Sequence, residues 1–180
     1  VQFRHGGFEV PLAGDARPLV IRAANVLRQY PEGEVAAAWR TMRDRLAPGG
    51  LLVEGTCDEL GRTAAWVGIT APDRDGQPVV PETLTISLAL AHLDMPSDVA
   101  ERLPKALIHH NVPGQPVHRL LTELDSAWVR SAPQGVFGPR QRWVAALREL
   151  RTHGWPVLDG PARWRLGECT VRWSAVATER

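Results

Sequence analysis

Residues 18–58 constrain this chain more than any other stretch, because two apolar runs flank one amphipathic segment and glycines mark its end. Pro18-Leu19-Val20-Ile21 opens the first run, which gives way to Arg22-Ala23-Ala24-Asn25-Val26-Leu27. Across residues 34–46, Val35, Trp39, Met42 and Leu46 recur at the spacing that lays one apolar stripe along a helix. Pro48-Gly49-Gly50 follows, and glycine past a helix end supplies the left-handed backbone that stops it. Leu51-Leu52-Val53 then restarts a strand. Two strands joined by a helix form a βαβ crossover, so this part of the sheet is expected to be parallel and covered on at least one face.

Polar residues gather where these strands end. A ligand crevice in an open α/β sheet lies outside the carboxyl ends of its parallel strands, which brings Asn25, Glu54, Thr56 and Asp58 together as a candidate site. Asn25 and Asp58 have a second reading, as residues that cap a helix or turn.

The rest of the chain reads as follows. Residues 1–4 suggest a strand, His5-Gly6-Gly7 a turn, and Phe8-Glu9-Val10 a second extended piece. Segments 63–69 and 83–90 suggest an antiparallel pair; in the second, Thr83, Thr85 and Ser87 alternate with Leu84, Ile86 and Leu88. Residues 96–110 read as helical with Ser97 as N-cap, divided at Pro104. Two apolar stripes follow, one of Val117, Leu120, Leu121, Leu124 and Trp128, the other of Trp143, Ala146, Leu147 and Leu150. A short strand at 155–158 and a final one at 168–176 complete the order.

With 180 residues and a formal net charge of +1, the chain suits one domain that does not exist chiefly to neutralise phosphates. Arginines crowd the last third, but no aromatic-interleaved single-strand motif accompanies them, and nucleic acid is not the expected partner. Cys57 and Cys169 are too few for a disulfide framework or zinc site, and no apolar stretch is long enough to cross a membrane; a cytoplasmic protein is expected. His92, His109, His110 and His118 lack metal-ligand spacing, so no metal is expected. His109 or His110 becomes a candidate catalytic base if residues 107–114 fold over the crevice. Of the seven tryptophans, Trp39, Trp128 and Trp143 lie on helix stripes; Trp66, Trp155, Trp164 and Trp173 serve either packing or an aromatic pocket.

Asn25-Val26-Leu27, Leu46-Ala47-Pro48-Gly49-Gly50 and Leu51-Leu52-Val53-Glu54-Gly55-Thr56 together resemble the second half of a class I S-adenosylmethionine-dependent methyltransferase. In that family the fourth strand ends in a polar residue followed by Val-Leu, and a Leu-x-Pro-Gly-Gly turn feeds the fifth strand. The resemblance implies an α/β, Rossmann-like fold with a partly parallel sheet, a carboxyl-terminal antiparallel strand or hairpin, and helices on both faces. It makes residues 1–180 a single methyltransferase-like domain, incomplete because the family's glycine-rich turn and second-strand acidic residue have no counterpart before residue 18. The implied activity is methyl transfer from S-adenosylmethionine to a small-molecule acceptor. Asn25 and Phe8 are the implied cofactor contacts, Phe8 lying in the stretch that stands where the family often carries an Asp after its third strand. Glu54, Thr56 and Asp58 would orient the acceptor. The edge of the first strand would be filled by an amino-terminal segment, by a second copy or another partner, or by the opening residues themselves in a different arrangement. The alternative is a noncatalytic Rossmann-like module that binds protein through that edge.

Overall fold

Alternating apolar residues form five strands, β1 (Val20–Ala24), β2 (Leu51–Cys57), β3 (Ala64–Thr70), β4 (Thr83–Ser87) and β5 (Glu168–Arg172). The computed structural model describes residue 3, residues 5–71 and residues 78–178; the strand expected at residues 1–4 lies largely outside these. The strands stand side by side in chain order as one mixed sheet, with β1 and β2 parallel and every later neighbour antiparallel. The β1–β2 crossover is helix α1 (Glu32–Arg43), which starts after Pro31 and buries Val35, Trp39 and Met42. Leu46, just past it, is buried too.

After β4 the chain turns helical. A 3-10 segment, Pro96–Arg102, leads to the single turn α2 (Lys105–Ile108). The helix expected over residues 96–110 is therefore divided at Pro104, but its first half is 3-10 rather than α. Ser97 is not its cap: the Asp98 carboxylate accepts the Met95 N–H, and the Ser97 N–H donates to Asp125. Helices α3 (Pro116–Arg130) and α4 (Pro139–Thr152) bury the two expected stripes and pack on each other; α5 (Pro161–Trp164) follows. Residues 155–158 make one bridge, Val157 to Val171, rather than a strand, and the last strand ends at Arg172 in a 3-10 turn. Phe8 and Glu9 form a turn closed by Val10 N–H on the Gly7 carbonyl, not an extended piece.

One face of the sheet carries the core. Ile21, Ala23, Leu52, Glu54, Thr56, Ala65, Val67, Ile69, Leu84, Ile86, Cys169 and Val171 point to it, all buried, and the apolar ones join the helix residues in a single cluster. The opposite face, with Val20, Arg22, Leu51, Val53, Trp66, Thr83 and Thr170, is half-buried to exposed and carries no helix among the described residues. Helices on both faces were expected; they lie on one. Antiparallel neighbours need no crossover helix, so among the described residues α1 is the only α-helix between β1 and β4, and the later helices join it in the same core.

Candidate functional site

The chain leaves β1 at Asn25, whose φ of 62° is left-handed, a conformation asparagine tolerates better than most residues. Its N–H donates to the Gly55 carbonyl at 2.8 Å. Its Oδ1 accepts the Cys57 N–H at 2.9 Å, and its Nδ2 lies 3.4 Å from Cys57 Sγ. The side chain thus extends the parallel ladder one rung past the point where the backbone turns away. Asp58 works similarly at the end of β2. Its two carboxylate oxygens accept the N–H groups of Arg62 and Thr63, closing the loop into β3. What burial it has works to raise its pKa, yet the loop N–H groups outweigh that and hold it below the usual carboxylate range.

Glu54 is placed quite differently. It points into the helix-covered core with 1 % exposure, and its carboxylate accepts the Trp39 Nε1–H at 3.1 Å. Burial pushes it up to about 7 from an ordinary 4.5, against the smaller opposing pull of the indole donor. Thr56, also buried, lies two residues nearer the strand end on the same face.

Beyond Asn25 a 3-10 turn, Leu27–Gln29, plugs the core with Leu27 and delivers Tyr30 and Glu32 to the carboxyl end of β1. Phe8 packs on Tyr30 with ring centroids 5.2 Å apart. His110 Nε2 lies 2.7 Å from Glu32 Oε1, tying the end of α2 to the first turn of α1. His109 is exposed. Hence Asn25 opens the β1 crossover, Phe8 packs on it at Tyr30 and His110 pairs with it at Glu32, while Asp58 and Thr56 stand at the neighbouring strand end and Glu54 is withdrawn into the core.

Two features escaped sequence reasoning. The Glu32–His110 pair joins residues 78 apart, and no local spacing announces it. A shallow depression of about 260 Å3, counting space open to solvent, lies on the bare face and is lined by Arg22, Ala24, Val53, Cys57 and Trp66 among others. That is smaller than the sites that enclose a drug-sized ligand. Its signal was present in the alternation of 63–69, which sets Trp66 on the same face as Ala64 and Gly68.

Among the described residues no group of three His, Cys, Asp or Glu side chains is arranged to hold a metal ion, and no helix is long and apolar enough to cross a membrane. The described residues do not by themselves fit S-adenosylmethionine: Asn25 has both ends of its amide engaged with Cys57, and the carboxylate nearest in sequence to that strand end, Asp58, is spent on its own loop. Comparison with family models, with curated proteins and with solved structures found no match to this chain.

Proposed function

We propose that β1, α1 and β2 are one half of a Rossmann-like sheet, and that the chain works as the acceptor-side portion of an S-adenosylmethionine-dependent methyltransferase, in the cytoplasm, on a small-molecule acceptor. The observation that carries this reading is the unfinished state of the parallel end. Leu51 N–H donates to the Leu19 carbonyl and Asn25 N–H to that of Gly55, so in the parallel ladder the odd-numbered residues bond β2 and the N–H and C=O groups of Val20, Arg22 and Ala24 point off the sheet. The bare face over β1 and β2 is apolar apart from Arg22 and partly exposed, with Val20 60 % and Leu51 38 % accessible. Further strands on β1, with their own helix on that face, would finish a doubly wound sheet and bring the missing cofactor contacts to the crossover.

The cofactor, when held there, supplies an electrophilic methyl group. The chain's own residues would wall the site with Phe8 and Tyr30, hold the strand ends in register through Asn25 and Asp58, and take up the acceptor's proton at His110 or His109. Glu54 and Thr56 would act from below, by fixing α1 against β2. Nucleic acid is disfavoured as acceptor because several carboxyl-terminal arginines are engaged elsewhere: Arg142 lies 3.7 Å from the Trp128 ring centroid, Arg151 stacks on Trp164, and Arg163 pairs with Glu168.

Calorimetric titration with S-adenosylmethionine tests the reading. The polypeptide translated from its native start codon is expected to bind, and residues 1–180 alone are not. Binding by neither removes the reading and leaves the noncatalytic module, which the same open β1 edge favours and a partner pull-down would address.

A further inference from the structure

We infer that the turn joining α3 to α4 is a membrane-docking tip, which sets Val136 and Phe137 into the headgroup region of an anionic lipid surface beside a group of arginines. The inference is independent of methyl transfer. It concerns where the chain sits, not what it transfers.

The apolar part stands out by its position. Residues 132–137 are all exposed, Val136 by 81 % and Phe137 by 71 %, and neither side chain joins the core. Val129, in the last turn of α3, is 56 % exposed as well. Single apolar side chains scattered over a surface need no explanation, but two adjacent ones at the tip of a turn do. The turn is firmly built. Ala132–Phe137 is a 3-10 segment in which Gln134 N–H donates to the Ser131 carbonyl at 3.0 Å, and Gly138 N–H to that of Gly135 at 2.9 Å. Gly138, at a φ of 96°, then turns the chain into α4. The tip is thus preorganised, and little ordering opposes its docking.

The charge around it has one sign. Residues 126–148 carry Arg130, Arg140, Arg142 and Arg148 and no Asp or Glu. Arg130 pairs with Glu149, and Arg142 stacks on Trp128 without losing its charge. Arg140 and Arg148 are exposed and have no ion-pair partner among the described residues. Apolar side chains flanked by arginines are the composition that lies in a bilayer interface, and the positive charge matches the negative potential of a cytoplasmic leaflet. A tip that projects this far offers no groove for a partner protein's side chain, whereas a fluid interface parts around it.

The fold keeps the tip free. Trp143 Nε1–H donates to the Glu168 carbonyl at 3.3 Å, which seats the beginning of α4 against β5. β1 and β5 are the two outer strands, so further strands on β1 would build away from this end.

The test is flotation of the polypeptide from its native start codon with vesicles of roughly one part phosphatidylserine to three of phosphatidylcholine, and with phosphatidylcholine alone. Binding to the first is expected, weakening as salt screens it, and at least about tenfold weaker binding to the second. Val136→Ser combined with Phe137→Ser should weaken it by about tenfold or more, and Arg140→Gln by about fivefold, the share of one basic residue near such a surface. These side chains are exposed, so the variants' melting midpoints should match the parent's. Lipid brominated in its acyl chains should quench the fluorescence that Phe137→Trp adds. No binding to phosphatidylserine vesicles, equal binding to both vesicles, a double variant that binds like the parent, or absence of quenching overturns the inference. So does binding of soluble poly-glutamate that equals vesicle binding and falls as much in the double variant, which would assign the tip to an acidic protein. S-adenosylmethionine binding is read separately, so failure of either reading leaves the other standing.

Discussion

At its β5 end the sheet is closed, and at its β1 end it is open. The outer edge of β5 is covered by the segment before α5: Leu158 N–H donates to Thr170 C=O, Arg172 N–H to Pro156 C=O, and the Asp159 carboxylate takes the Thr170 N–H. The face there is dressed for water, with Thr83, Ser87 and Thr170 outward and Thr85 bonded to Thr170 at 3.0 Å. The outer edge of β1 has no strand on it among the described residues, and its face is Val20, Ala24, Leu51, Val53, Gly55 and Cys57 with one charge, Arg22. Antiparallel sheet tolerates one wet face; parallel sheet is normally covered on both. Under the proposed reading the contrast puts function at the β1 end, where further strands would complete the ladder and cover the face.

The centre of β2, where the two ends join, should be the most fragile point. A Cβ at Gly55 would lie 2.1 Å from the Ala65 carbonyl oxygen and 2.5 Å from the Trp66 Cα, both backbone atoms that cannot step aside. Gly55→Ala is expected to cost about 3 kcal/mol or more in guanidinium unfolding. Gly33→Ala, in α1 with nothing within 4 Å of its Cβ, should gain about 0.5 kcal/mol instead. Should Gly55→Ala fold as well as the parent, the two ends are not rigidly joined through β2.

Next in size is the pH dependence that Glu54 imposes on the β1–β2 end. Below its unfolded value of 4.5 the carboxyl is protonated in both states and exacts no penalty. As pH rises from 4.5 to about 7 the unfolded chain releases a proton that the folded chain keeps, so stability falls, and above about 7 the loss stays constant. The expected size is about 3 kcal/mol, and Glu54→Gln should remove this slope from unfolding curves taken between pH 4.5 and 8. An identical slope in both proteins would mean that water reaches Glu54 from the open side.

How much of this was legible follows from the range of each interaction. The strand, helix and glycine stop of residues 18–58 are local patterns with period two or 3.6, and they reappear as β1, α1 and β2 with Val35, Trp39, Met42 and Leu46 inward. The stripes on α3 and α4 were equally plain. Sheet coverage was not, because which face a helix chooses depends on where its neighbours already sit, and no residue of α3 encodes that alone. Pro104 announced a break, but whether the chain before it coils as α or 3-10 was settled by the hydrogen bonds of Asp98 and Asp125. At the site, Asn25 and Asp58 were visible as polar strand-end residues with two readings, and the capping bonds occupy both. Glu54 looked like a strand-end carboxylate because Leu51-Leu52-Val53 seemed the whole strand; β2 runs on to Cys57, which carries Glu54 into its middle.

A smaller effect separates conformation from bonding at the crossover. Asn25→Ala loses the bond to the Cys57 N–H and places a residue with a Cβ and no compensating amide in left-handed backbone, for an expected loss of about 2 kcal/mol. Asn25→Gly loses only the bond, and about 1 kcal/mol. If the two variants unfold together, the left-handed turn is not what holds β1 to β2 at this end.

The smallest expected change is the most informative about the open edge. Val20→Lys sets a charge on a residue 60 % exposed, on a strand whose outward amides bond nothing in the described chain. Within residues 1–180 it should alter stability by no more than about 0.5 kcal/mol, since surface substitutions away from packed features rarely do more. If, as proposed, the polypeptide from its native start codon carries a strand and helix that cover β1, the same lysine would be forced into an apolar interface, and the melting midpoint should fall by several degrees. A lysine is also the residue that natural sheets use to keep an edge unpaired, so equal indifference in both polypeptides would mean that β1 is a true edge. The difference between the two polypeptides, rather than either value, therefore measures whether the β1 end is a finished surface or an interface waiting for its other half.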